Sequence, residues 1–124
     1  MPSKILICDN EEALRALVRG ALELDGYELV EARDGDESVA LARAWDPDLI
    51  VLDMMMPGRT GLEVLSELRT ESRFAATPVI MLTARAQAAD RDAASAAGAT
   101  EFLPKPFSPL ALASLVEELL NGNK

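Results

Sequence analysis

Short apolar runs alternate along the chain with stretches whose apolar residues fall three and four apart. Lys4 to Asp9 carries Ile5-Leu6-Ile7-Cys8, and Tyr27 to Ala32 holds a shorter mixed run. Leu49-Ile50-Val51-Leu52 leads without a break into Asp53, Val79-Ile80-Met81-Leu82 leads from Pro78 into Thr83, and Glu101 to Pro104 forms a fifth segment. Their length and β-branched content predict strands. A run apolar at every position is buried on both faces, which makes Leu49 to Asp53 a central strand of a parallel sheet.

Each intervening stretch predicts a helix. Asn10 is the expected N-cap of the first, with Glu11 and Glu12 in its opening turn and Leu14, Leu17, Val18, Ala21 and Leu22 at helical spacing before Gly26. Asp34-Gly35 opens the second, which ends near Trp45. Thr60 and Glu63 have capping-box spacing ahead of the third, with Leu62, Leu65 and Leu68 turned inward. The fourth, roughly Ala86 to Ala97, is mostly alanine and stops at Gly98. Ser108 and Pro109 start the fifth, whose apolar residues include Leu112, Leu115, Val116 and Leu119. Asn121 to Lys124 reads as a frayed end. This alternation, with right-handed crossovers, predicts an α/β fold: a doubly wound, five-stranded parallel sheet in a three-layer sandwich. At 124 residues the expectation is one domain, residues 1–124.

Polar groups close these runs in a telling way. Asp9, Asp53, Thr83 and Lys105 each follow a strand, and ligands of such sheets bind outside the strand C-termini. The four should therefore meet in one crevice. A carboxylate nucleophile can attack phosphorus to give an acyl phosphate, and the phosphoryl oxygens then call for a divalent cation, an ammonium and a hydroxyl or amide donor. Asp53 is the expected nucleophile, Lys105 the ammonium and Thr83 the hydroxyl, with small Ala84 beside it. Mg²⁺, or Mn²⁺ in its place, takes one or two carboxylates, a carbonyl and several waters. Asp9, Asp53 and the backbone carbonyl of Met55 are the candidates. An ammonium at a strand end facing a crevice is expected to contribute little to the core.

Composition removes other chemistries. The chain has no histidine, which excludes His-based general-base catalysis and His-ligated metals. Its single cysteine, Cys8, lies in the first apolar run and reads as a buried small hydrophobe. A net charge of −9 argues against direct nucleic-acid binding by this domain. No apolar stretch approaches the roughly 20 residues that span a bilayer, and the N-terminus lacks the pattern of a secretory signal.

These residues are similar to those of a known family, the receiver domains of bacterial two-component response regulators, of which the chemotaxis regulator is a member. The resemblance runs from Lys4 to about Leu120. It rests on Ile5-Leu6-Ile7-Cys8-Asp9, Asp53-Met54-Met55-Met56-Pro57 with Gly61, Thr83-Ala84 and Lys105-Pro106-Phe107, in that order and spacing. It implies a flavodoxin-like strand order 2-1-3-4-5 and phosphorylation of Asp53 by a sensor histidine kinase or phosphotransfer protein. It also implies a cis Lys105-Pro106 peptide, a downstream effector or output domain, a cytoplasmic location, and a monomer or weak phosphorylation-dependent dimer. On this reading the chain is a signalling switch rather than an enzyme, at most phosphorylating itself from small phosphodonors and dephosphorylating itself. With nothing following Lys124, it reads as a stand-alone regulator or an excised receiver.

One position departs from the family. The usual pair of acidic residues after the first strand is Asp9-Asn10 here, so Asn10 brings a carbonyl oxygen to the metal but no charge, and Glu11 is a poor stand-in. Phe102 holds the family's switch-aromatic position, implying that it turns inward as Thr83 moves toward the phosphoryl group. Helix four, with few large anchors, is the element free to move with them. Met54, Met55 and Met56 read as packing residues. An aspartate-nucleophile phosphatase would place its nucleophile on the first strand with another aspartate two residues on, where this chain has Glu11. A nucleotide- or flavin-binding domain would need a Gly- or Ser/Thr-rich loop in place of Asp9-Asn10-Glu11-Glu12. The serious alternative is a degenerate receiver that binds a partner without being phosphorylated.

Overall fold

The computed structural model describes residues 2–84 and 87–121. Its elements alternate as the hydrophobic pattern predicts: β1 (Lys4–Cys8), α1 (Glu12–Glu23), β2 (Glu28–Ala32), α2 (Gly35–Trp45), β3 (Leu49–Asp53), α3 (Gly61–Arg69), β4 (Val79–Thr83), α4 (Ala88–Ala97), β5 (Glu101–Pro104) and α5 (Pro109–Asn121), with a 3₁₀ turn at Ser72–Phe74. The strands form one parallel sheet in the order β2-β1-β3-β4-β5. The expected start of the fourth helix at Ala86 and residues 122–124 of the expected frayed end lie outside the described residues.

Alternation of side chains across the sheet divides the core in two. Leu6, Cys8, Ile50, Leu52, Val79 and Met81 pack with Val39 and Ala42 of α2, Val64, Leu65 and Leu68 of α3, and Ala94 of α4. Ile5, Ile7, Leu49, Val51, Ile80 and Leu82 pack with Val18 and Leu22 of α1 and with Leu112, Val116 and Leu119 of α5. Every residue of β3 and β4 is buried, whereas the outer strands β2 and β5 are largely half-exposed. Burial pushes the Cys8 thiol up to about 12, so it behaves as the inert hydrophobe its position predicts.

Local chemistry sets most helix starts where the sequence puts them. The Asp34 carboxylate accepts the Glu37 N–H at 2.8 Å, and Thr60 and Glu63 complete a capping box. Ser108 Oγ accepts the Ala111 N–H at 3.3 Å. Helix α1 departs from expectation. Asn10 does not cap it; Glu11 holds the N-cap position with no side-chain cap hydrogen bond, and its own N–H donates to the Asp9 carboxylate at 2.8 Å. Leu17 is also turned outward, 43% exposed, while Arg15 joins Val18 and Leu22 on the buried face.

Helix α4 is weakly held. Ala94 is its one buried residue, and Gly98 closes it in the left-handed region at φ 102°. Arg69 at the end of α3 grips that terminus: Nε and Nη2 donate to the Gly98 carbonyl at 3.1 and 2.8 Å, and Nη1 to the Thr77 carbonyl at 2.7 Å. A cation at a helix C-terminus suits the helix dipole. The helix is thus tied at its C-terminal end and lightly packed along its length.

Candidate functional site

At the C-terminal edge of the sheet the chain gathers three charged side chains. Asp9 follows β1, Asp53 ends β3 and Lys105 follows β5, in the crevice expected of a sheet whose strand order reverses between β1 and β3. Asp9 and Asp53 are 1% and 3% exposed. Lys105 Nζ lies 3.1 Å from Asp9 Oδ2 and 3.3 Å from Asp53 Oδ1, with the exposed Glu11 further off at 3.9 Å. One ammonium therefore serves two buried carboxylates.

That imbalance sets the electrostatics. Burial pushes the Asp53 carboxyl above its ordinary value of 3.8, and the Asp9 carboxylate pushes it the same way; Lys105 and the Met55 N–H, 3.3 Å from Oδ1, offset only part. For Lys105, burial alone would lower the pKa, but Asp53 and Asp9 outweigh it and hold the ammonium above 10.5. Among the described residues the site holds more negative charge than Lys105 neutralises. Against the expectation that Lys105 contributes little to the core, its side chain is 16% exposed and bridges groups that are almost wholly buried.

The remaining expected residues take different places. Thr83 is fully buried at the end of β4, next to Leu82, the register partner of Asp53, and its carbonyl accepts the Lys105 N–H at 2.6 Å. Asn10 is exposed at the mouth of the crevice. The Met55 side chain is 55% exposed and its N–H turns toward Asp53, whereas Met54 and Met56 are buried as packing residues. The Lys105-Pro106 peptide is cis. Phe102 lies half-buried with its ring 4.9 Å from the Arg91 guanidinium, and the two line a pocket of about 230 Å³ between α4 and β5.

Backbone approach fixes the Asp53 loop as well. Gly61, the first residue of α3, donates its N–H to the Met54 carbonyl at 2.9 Å. A β-carbon there would overlap the Asp53 carbonyl oxygen and come within 2.9 Å of Met54 Cα. The sequence motif contains this glycine; the contact gives its physical reason.

Two participants escaped the sequence. Arg15 is buried, with Nη1 donating to the Asp9 carbonyl at 2.8 Å and Nε pairing with Glu31 at 2.9 Å. Arg19 pairs with the same Glu31 at 2.7 Å. Burial would raise the Glu31 carboxyl, but hydrogen bonds and charge from both arginines hold it below 4.5. An arginine interrupting the apolar stripe of α1 at the Val18 and Leu22 spacing was the available signal.

Among the described residues no group of three or more His, Cys, Asp or Glu side chains is placed to hold a metal ion. The donor set still fits a hard cation that keeps most of its waters, with two buried carboxylates side by side at the strand ends.

Comparison with known proteins agrees with this architecture. The family model of the response regulator receiver domain matches residues 5–117. The transcriptional regulatory protein ResD of Bacillus subtilis is 42% identical over 118 residues, covering 95% of this chain and 48% of ResD. The phosphate regulon regulator PhoB of Escherichia coli is 39% identical over 121 residues, covering 97% of this chain and 52% of PhoB. The chain thus spans about half the length of these curated relatives. Among solved structures, the chemotaxis protein CheY4 of Vibrio cholerae superposes with a TM-score of 0.91 at 34% identity, covering 97% of this chain and all of that one. Among the described residues no helix is long and apolar enough to cross a membrane.

Proposed function

The chain belongs to the response regulator receiver domain family of two-component systems, and we propose on that premise that it is a phospho-accepting switch with Asp53 as the acceptor. The observation that carries this reading is the pair of buried carboxylates sharing one ammonium at the strand ends. An Asp53 carboxylate oxygen attacks the phosphorus of a phosphohistidine on a sensor kinase or phosphotransfer protein. The new O–P bond forms as the P–N bond breaks, and the histidine leaves. Lys105 meets the incoming charge, and the Thr83 hydroxyl donates to a phosphoryl oxygen at the end of β4. Asp9, Asp53, the Asn10 side-chain oxygen and the Met55 carbonyl are the residues that would hold Mg²⁺, or Mn²⁺ in its place. The ion supplies positive charge to the phosphoryl oxygens.

Readout runs through α4, β5 and α5. Thr83 and Phe102 border that face, and α4 has a single buried anchor. On this account the chain is a cytoplasmic signalling switch, not a turnover enzyme, and acts as a monomer or a weak dimer formed on phosphorylation. Its partner is an effector or an output domain of the kind that ResD and PhoB, as transcriptional regulators, suggest. With a net charge of −9 it makes no direct contact with nucleic acid itself.

A second reading has one observation in its favour. Asn10 stands where the family has a second acidic residue, and it is exposed, so the chain would be a degenerate receiver that binds its partner without phosphorylation. Beryllofluoride with Mg²⁺, a phosphoryl mimic, separates the two. The switch reading expects amide exchange to change across residues 87–107 more than in α2. Changes confined to the Asp9 and Asp53 loops would argue against this switch, and no change at either place would favour the second reading.

A further inference from the structure

We infer that Arg15 is a positioning residue for the Asp9 loop, holding the acidic pocket in register through the Asp9 backbone while Glu31 holds Arg15. This inference rests on the phospho-acceptor reading of the site. The loop between β1 and α1 must present the Asp9 carboxylate and the Asn10 amide at fixed positions, yet α1 begins without a side-chain cap to fix its entry. The Asp9 carboxylate is itself committed, Oδ1 to the Glu11 N–H and Oδ2 to Lys105. What remains to set the backbone is the Asp9 N–H, which donates to the Ala32 carbonyl of β2 at 3.1 Å, and the Asp9 carbonyl, which takes the Arg15 guanidinium at 2.8 Å.

Arg15 is suited to this by geometry. Its fork donates in two directions at once, to the Asp9 carbonyl and to Glu31 on β2, and it is 8% exposed. Glu31 also pairs with Arg19 one turn further along α1 and so anchors two arginines of the same helix to the edge strand. A buried guanidinium leaning on a ligand's backbone is the kind of outer partner whose loss weakens metal binding by roughly 10- to 100-fold.

Charge and position predict opposite signs for one variant, which makes the inference decidable. Arg15→Met removes a cation near a cation-binding site, so electrostatics alone would tighten Mg²⁺ binding. Positioning requires it to weaken.

The test is calorimetric titration of Mg²⁺ into wild type, Arg15→Met, Arg15→Lys and Asn10→Asp, each checked for its circular dichroism and held well below its melting temperature. Amide exchange at residues 9–11 is followed in the metal-free proteins. Asn10→Asp restores a carboxylate at the mouth of the crevice and should bind about 10-fold tighter or more. It shows whether the titration reads this loop. We expect Arg15→Met to bind about 10-fold more weakly, Arg15→Lys to fall between it and wild type, and exchange at residues 9–11 to quicken in both.

Tighter or unchanged binding by Arg15→Met, with Asn10→Asp tightening as expected, would overturn the role of Arg15 and leave the site intact. No tightening by Asn10→Asp would instead strike at the site reading. The exchange rates then judge Arg15 alone, and an unchanged rate in Arg15→Met and Arg15→Lys would overturn it. If Arg15→Met does not fold, Arg15→Lys decides in the same way, since it keeps the charge and loses the fork.

Discussion

Lys105→Met should destabilise the metal-free protein by about 2–4 kcal/mol at pH 7, because removing one partner of a buried ion pair leaves uncompensated buried charge. Two carboxylates, on Asp9 and Asp53, would be left without their shared cation at the end of the sheet. The sign with pH follows from the two shifts. Lys105 titrates above its ordinary 10.5, so its contribution is complete at pH 7 and is lost only as pH rises through that higher value. Asp53 already titrates above 3.8 in the wild-type site. Without the ammonium it should rise further, so that acidification protonates it more readily and lessens the need for a counter-charge. The penalty measured by urea unfolding should therefore shrink as pH falls. Millimolar Mg²⁺ should recover part of it at pH 7 by replacing the missing positive charge. A loss below about 0.5 kcal/mol at pH 7, the range of an ordinary surface substitution, would mean that the ammonium carries no structural load.

Gly61→Ala should cost about 2–3 kcal/mol, near the upper end of what overpacking a rigid site costs. Two effects oppose each other. Alanine at the start of α3 gains up to about 1 kcal/mol of helix propensity over glycine. Against that, its β-carbon would overlap the Asp53 carbonyl oxygen and crowd Met54 Cα, and both neighbours are backbone, which cannot rotate away. The clash should win. Because relief requires moving residues 53–56, amide exchange there should quicken more than in α2, alongside the lower urea midpoint. Unchanged or increased stability would show that the loop yields freely and that Gly61 serves only the helix.

The sheet was legible because its central strands are apolar at every position and its helices carry their caps in sequence. Thr60 with Glu63, Asp34, and Ser108 with Pro109 all sit where the chain turns into a helix. The strand-end residues Asp9, Asp53, Thr83 and Lys105 were legible for the same reason: a polar group that ends a buried run has one place to go. What the sequence hid was where the first helix begins and which of its faces turns inward. Asn10 has the chemistry of a cap, but the helix starts one residue later, with Glu11 at the N-cap and its N–H on the Asp9 carboxylate. Leu17 has the periodicity of a core residue, but the buried face of α1 is centred on Arg15, Val18 and Leu22, with Arg15 held there by the Asp9 carbonyl and Glu31. The bridge that Lys105 makes was hidden too, since it depends on how deeply both carboxylates are buried.

Whether Asp53 accepts a phosphoryl group is decided by intact mass after incubation with phosphoramidate or acetyl phosphate and Mg²⁺, with wild type and Asp53→Asn compared side by side. Asp53→Asn keeps the size of the side chain, removes the nucleophilic oxygen and relieves the buried like charge beside Asp9. It should fold at least as well as wild type, so a failure to label cannot be laid to unfolding. Wild type should gain one phosphoryl group and Asp53→Asn none. Equal labelling of the two proteins, or a wild type that never gains the mass, would contradict Asp53 as the acceptor.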